Sequence, residues 1–157
     1  MTLQLAKIML VLLIVAYGCG DNNTGGNTPP SIIYEGLSKD TMVQGILGDS
    51  IVVFLNFEDI DGDLSSMDGR DISIVDNRDG FNDPVSFPEL PDLKQGTRGQ
   101  LKLTIQTTCC IFPDNIQPCE SPEAYPSNRY TYDIFIVDRA GNRSNVITTD
   151  SITLLCL

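Results

Sequence analysis

The sequence has no histidine among its 157 residues. Ser-His-Asp and Cys-His catalysis are therefore closed to it, as is every metal site built on imidazole. It also lacks the P-loop, GxGxxG and GxSxG patterns. That removes the phosphate cradle, the dinucleotide fingerprint and the nucleophile elbow. Positive charge is scarce, with 10 Lys and Arg against 21 Asp and Glu. A surface this negative repels phosphate backbones, which argues against a nucleic-acid partner, and it disfavours docking on anionic lipid headgroups. No stretch keeps a 3.6-residue apolar period between caps, so helices are not expected. Carboxylates abundant enough to suggest a glycosidase pair sit in turn-like contexts that solvation explains, and the expectation is a protein that is not an enzyme.

Long hydrophobic runs are missing too, with one exception near the start. "IMLVLLIVAY", residues 8–17, follows Lys7 and is about half the roughly 20 apolar residues a bilayer span requires. It has the length of a signal h-region. The segment closes in "VAYGC", where Ala16 and Gly18 precede Cys19. This resembles the lipobox of bacterial lipoproteins, with Ala16 where that family usually has Leu. The resemblance implies a signal peptide over 1–18, cleavage before Cys19 and lipidation of Cys19, which makes acyl chains the contact with the membrane. It places the protein in the bacterial cell envelope as an outer-membrane lipoprotein, periplasmic or surface-exposed. Residues 1–18 hold Lys7 and no acid, so the formal charge of -11 becomes about -12 after cleavage.

Beyond Cys19, "GDNNTGGNTPP" carries no aliphatic or aromatic side chain. It cannot collapse onto a core, and residues 19–30 read as a flexible tether. Residues 31–157 are enough for one domain. Their signals are those of strands. In "DSIVVFLNFED", Ile51, Val53, Leu55 and Phe57 share one face. Leu101, Leu103 and Ile105 alternate with Lys102, Thr104 and Gln106. Tyr130, Tyr132, Ile134 and Ile136 form a third series, and Ile152, Leu154 and Cys156 a fourth, with weaker runs in "SIIYEG", "TMVQG" and "DISIVDN". About seven short strands separated by turn residues predict an all-β antiparallel sandwich.

The run Tyr132-x-Ile134-x-Ile136-x-Asp138-x-x-Gly141-Asn142-x-Ser144 resembles the penultimate strand and turn of bacterial immunoglobulin-like domains. With "PPSI" at 29–32 and "FEDIDGDL" at 57–64, the layout is similar to that of immunoglobulin-like surface lipoproteins of the Bacteroidetes. The resemblance implies a fold and a compartment rather than a reaction. Asp40-Thr41-Met42, Asp49-Ser50-Ile51 and Asp150-Ser151-Ile152 resemble the O-glycosylation acceptor of that phylum, although Asp-Ser and Asp-Thr also simply begin strands after turns.

Four cysteines follow Cys19, an even number that suggests two disulfides in an exported chain. If the alternation of Leu101, Leu103 and Ile105 continues, Cys109 points inward and Cys110 outward. Cys156 continues Ile152 and Leu154 inward. Parity thus predicts Cys109–Cys156 and Cys110–Cys119. A thiolate metal site is disfavoured by the absence of a CxxC spacing.

The stretch "FEDIDGDL" crowds Glu58, Asp59, Asp61 and Asp63 together, and Glu58 to Asp83 holds 9 acids against 2 arginines. Such a loop either stays solvated or holds a hard cation on its oxygens. The cation expected is calcium, on Asp59, Asp61 and Asp63, with Asp138 as a fourth ligand if its turn lies at the same pole. It is not an EF-hand, because Leu64 and Arg70 stand where the glycine and the bidentate glutamate belong. The functional expectation is a membrane-anchored, non-catalytic binding or assembly module. The alternative is a carbohydrate-binding lipoprotein of a glycan-uptake system, for which Tyr125, Tyr130 and Tyr132 would offer a sugar platform.

Overall fold

The computed structural model describes residues 28–45, 49–64, 69–88, 96–113, 115–120 and 122–156. The leader, Cys19 and most of the tether lie outside the described residues.

Ten strands follow one another in the chain. They are β1 (Ser31–Leu37), β2 (Thr41–Val43), β3 (Ser50–Asp59), β4 (Ile72–Asp76), β5 (Asn82–Val85), β6 (Thr97–Gln106), β7 (Ser127–Tyr130), β8 (Tyr132–Ile136), β9 (Ile147–Thr148) and β10 (Ile152–Leu155). They form three sheets, ordered β1-β3-β6, β2-β10-β7 and β5-β4-β8-β9. Every pairing is antiparallel except that of β10 with β2. Among the described residues there is no helix, and the fold is an all-β sandwich.

The core follows from alternation. Ile51, Val53 and Leu55 are fully buried and Phe57 nearly so, while Val52, Phe54 and Asn56 between them are half-exposed. Leu101 and Leu103 on β6, Ile134 and Ile136 on β8, and Ile152 and Leu154 on β10 complete a single cluster fed by all three sheets. Burying a side chain of this size contributes about 1.5–3 kcal/mol, so the period-2 pattern alone commits these strands to one face.

Two expectations change here. The series from Tyr130 to Ile136 is not one strand. Tyr130 pairs with Ile152 in one sheet, whereas Tyr132 pairs with Asp76 in another. The chain crosses between sheets at Thr131, with both tyrosines still inward and their rings edge to face at 5.3 Å. This split, together with β5 and β9, raises the strand number from about seven to ten.

The disulfides are Cys109–Cys119 and Cys110–Cys156, not the expected Cys109–Cys156 and Cys110–Cys119. The parity argument required β6 to run on through the cysteines, but it ends at Gln106. Thr107 still follows the β3 register through its N–H on the Asp49 carbonyl, while its hydroxyl donates to the Val43 carbonyl, and the ladder stops there. Counting restarts beyond it. Cys110 enters the core, fully buried, with its N–H on Gln44 Oε1. Cys109 remains half-exposed and closes the short loop to Cys119.

Candidate metal centre

At the end of β3 the alternation that buries Ile51, Val53, Leu55 and Phe57 continues for one more step and carries Asp59 inward. Asp59 is 0 % exposed. The chain then turns through Gly62, whose φ of 74° suits a residue without a Cβ, and the Leu64 N–H returns to Asp59 Oδ2 at 3.3 Å. The turn folds Asp61 and Asp63 back toward Asp59, so that one carboxylate oxygen of each residue lies within 4.8 Å of the other two. Oxygens sharing one calcium ion at about 2.3–2.6 Å sit at most about 5 Å apart. The spacing therefore fits a common cation.

The hydrogen bonding at this site is incomplete in a specific way. Asp59 Oδ1, Asp61 Oδ1 and Asp63 Oδ1 are all buried and accept no hydrogen bond. A buried carboxylate oxygen without a donor is costly, and three together add mutual repulsion. Burial, followed by the neighbouring Asp61 and Asp63, pushes the Asp59 carboxyl up to about 6. Burial, with Asp138 and Asp61 after it, also raises Asp63. Burial works the same way on Asp61, yet the Thr28 N–H and the hydrogen bond with Asp59 outweigh it and hold Asp61 below the usual carboxylate range. Burial and like-charge crowding thus make Asp59 and Asp63 harder to ionise than a free carboxyl.

Asp138 does reach the same pole. The Arg139 N–H donates to the Asp63 carbonyl at 3.1 Å, which ties the two turns together. Each oxygen of the Asp138 carboxylate already accepts one hydrogen bond. Its Oδ1 accepts the Asn142 N–H at 2.7 Å, and its Oδ2 accepts Asn142 Nδ2 at 2.9 Å. It caps the turn after β8 and stands beside the trio rather than within it, contributing negative charge to Asp63.

Two residues not anticipated from the sequence shape the pole. A Cβ on Gly96, just before β6, would stand 2.8 Å from the Ile60 carbonyl oxygen and 3.0 Å from that of Asp59, so only glycine lets the backbone pass the acidic turn. Thr28 donates its N–H to Asp61 Oδ2 at 3.0 Å. Neither has a motif; the inward phase of Asp59 was the one signal available, since it follows from extending the β3 alternation.

The other sequence candidates sort plainly. Tyr130 and Tyr132 are buried, which leaves only Tyr125 of the three half-exposed. Met42, Ile51 and Ile152 of the acceptor-like tripeptides are core residues. Comparison of the chain with protein-family models, with curated proteins and with solved structures finds no match.

Proposed function

We propose that the protein is a lipid-tethered, non-catalytic immunoglobulin-like module of the bacterial cell envelope that holds calcium at its acidic pole and binds a protein partner or helps build a surface assembly. The observation that carries the calcium reading is the set of three donor-less buried oxygens on Asp59, Asp61 and Asp63. Oxygen-only, carboxylate-rich donors in flexible geometry suit calcium among the biological divalent cations. The two disulfides support export, because such bonds persist in oxidising compartments.

A protein partner is favoured over a glycan because Tyr130 and Tyr132 are buried in the core and provide no stacking platform. The outer face of the β1-β3-β6 sheet instead carries a shallow groove of about 440 Å³. Ile33, Asn56, Glu58, Arg98 and Gln100 line it, mixing one exposed aliphatic side chain with charged and amide groups.

The test is made in cells. Replacing Cys19 with Ser is expected to abolish lipid labelling and release the chain from the membrane fraction. Chemical cross-linking of the intact protein is expected to capture a protein partner, and retention on a glycan array with no cross-linked protein would favour the alternative.

A further inference from the structure

Thr28 meets Asp61 because of strand register. In the antiparallel ladder of β1 with β3, Ser31 pairs with Glu58, Ile32 with Phe57 and Ile33 with Asn56. Thr28 lies three residues before Ser31, and Asp61 three after Glu58, so their contact extends that register past the end of both strands. Between Thr28 and Ser31 stand Pro29 and Pro30. Prolines fix φ and transmit direction over a short segment, and Pro30 is buried. β1 is itself an edge strand. It is clamped at Ile32, whose N–H and carbonyl both bond the Asn145 side chain at 2.9 and 2.8 Å. Four residues further out, Asp61 holds the chain again.

We infer that the acidic pole is a cation-dependent clasp on the root of the N-terminal segment, with Asp61 shared between a calcium ion on one carboxylate oxygen and the Thr28 N–H on the other. The inference rests on the calcium reading above and adds a consequence to it. Asp61 Oδ2 is committed to Thr28 and Oδ1 has no protein donor, so the two attachments do not compete. With the ion bound, the carboxylate is fixed in the orientation that receives Thr28. Without it, repulsion from Asp59 and Asp63 pushes Asp61 toward water and weakens the Thr28 bond. Calcium occupancy thereby sets the angle at which the chain enters the domain.

Coupling between two contacts is reciprocal. Whatever factor calcium adds to the closing of the Thr28 bond, that bond adds to calcium affinity, and couplings of this kind are typically about 5- to 150-fold. The experiment uses the intact chain solubilised in detergent, titrated with calcium and separately with magnesium. Exchange of the Thr28 amide proton is followed with and without the ion. Calcium is expected to slow this exchange at least several-fold, and Thr28→Pro, which removes the donor, is expected to weaken calcium binding by a matching factor. Thr28→Ala, which keeps the N–H, is expected to bind as the parent does. Calcium binding with unchanged Thr28 exchange, or with Thr28→Pro indistinguishable from Thr28→Ala, overturns the clasp and leaves the metal site standing. Binding of neither ion overturns both.

Discussion

Arg78 lies over the ring of Tyr130, 4.0 Å from its centroid. From there its guanidinium grips Asp76 at 2.6 Å and donates to the Cys109 carbonyl at 3.0 Å and to Asn128 at 3.3 Å. The side chains of Arg78 and Asp76 are only 10 % and 9 % exposed. One arginine thus fastens the turn after β4 to the disulfide-bearing loop and to β7.

Removing one partner of such a pair leaves a buried charge without compensation, at a cost of about 3–5 kcal/mol. Arg78→Met is therefore expected to lose stability in that range in urea unfolding. The double variant Arg78→Met/Asp76→Asn is expected to lose less, because no charge is then stranded.

The disulfides differ in the loops they close. Cys110–Cys156 spans 46 residues of sequence and Cys109–Cys119 spans 10. On the chain-entropy account they contribute about 4 and about 3 kcal/mol. Replacing Cys110 and Cys156 together by Ala is expected to lower the melting temperature more than replacing Cys109 and Cys119, the gap widened by the cavity left at the fully buried Cys110. Peptide mapping under non-reducing conditions checks the pairing directly.

Acidity should act on the pole with a definite sign. Asp59 titrates near 6 in the folded chain and near 4 in an unfolded one. The folded state binds the proton more tightly, so this contribution favours folding below about 4 and fades as pH rises through about 6. In chelator, the melting temperature is expected to fall over that interval. Asp59→Asn should flatten the fall, and millimolar calcium at pH 7 should restore the stability in the parent but not in the variant.

Gly96→Ala is expected to disturb the acidic turn, since the added methyl would press on the Ile60 carbonyl. Overpacking of this kind costs about 1–3 kcal/mol. Calcium affinity should drop as well, measured by calcium titration of the variant against the parent.

The inward faces of β3, β6, β8 and β10 were legible because each is a run in which every second side chain is apolar. What failed were extrapolations beyond a strand's last hydrogen bond. Cys109 and Cys110 exchanged roles because the ladder stops after Thr107, and the residue types on either side do not announce it. Thr131 likewise gives no sign that Tyr130 and Tyr132 belong to different sheets. Within the acidic site, three aspartates were readable from spacing. Asp138 stands outside the trio, each of its oxygens accepting a hydrogen bond from Asn142 four residues on, and Thr28 was invisible because its role is set by register with a distant strand.

The parallel seam between β2 and β10 joins Thr41 to Thr153. A sheet whose middle member is the tenth strand to emerge cannot close until nearly the whole of the described chain has been made. The Cys110–Cys156 bond, which needs the residue just after that strand, is accordingly among the last links to form.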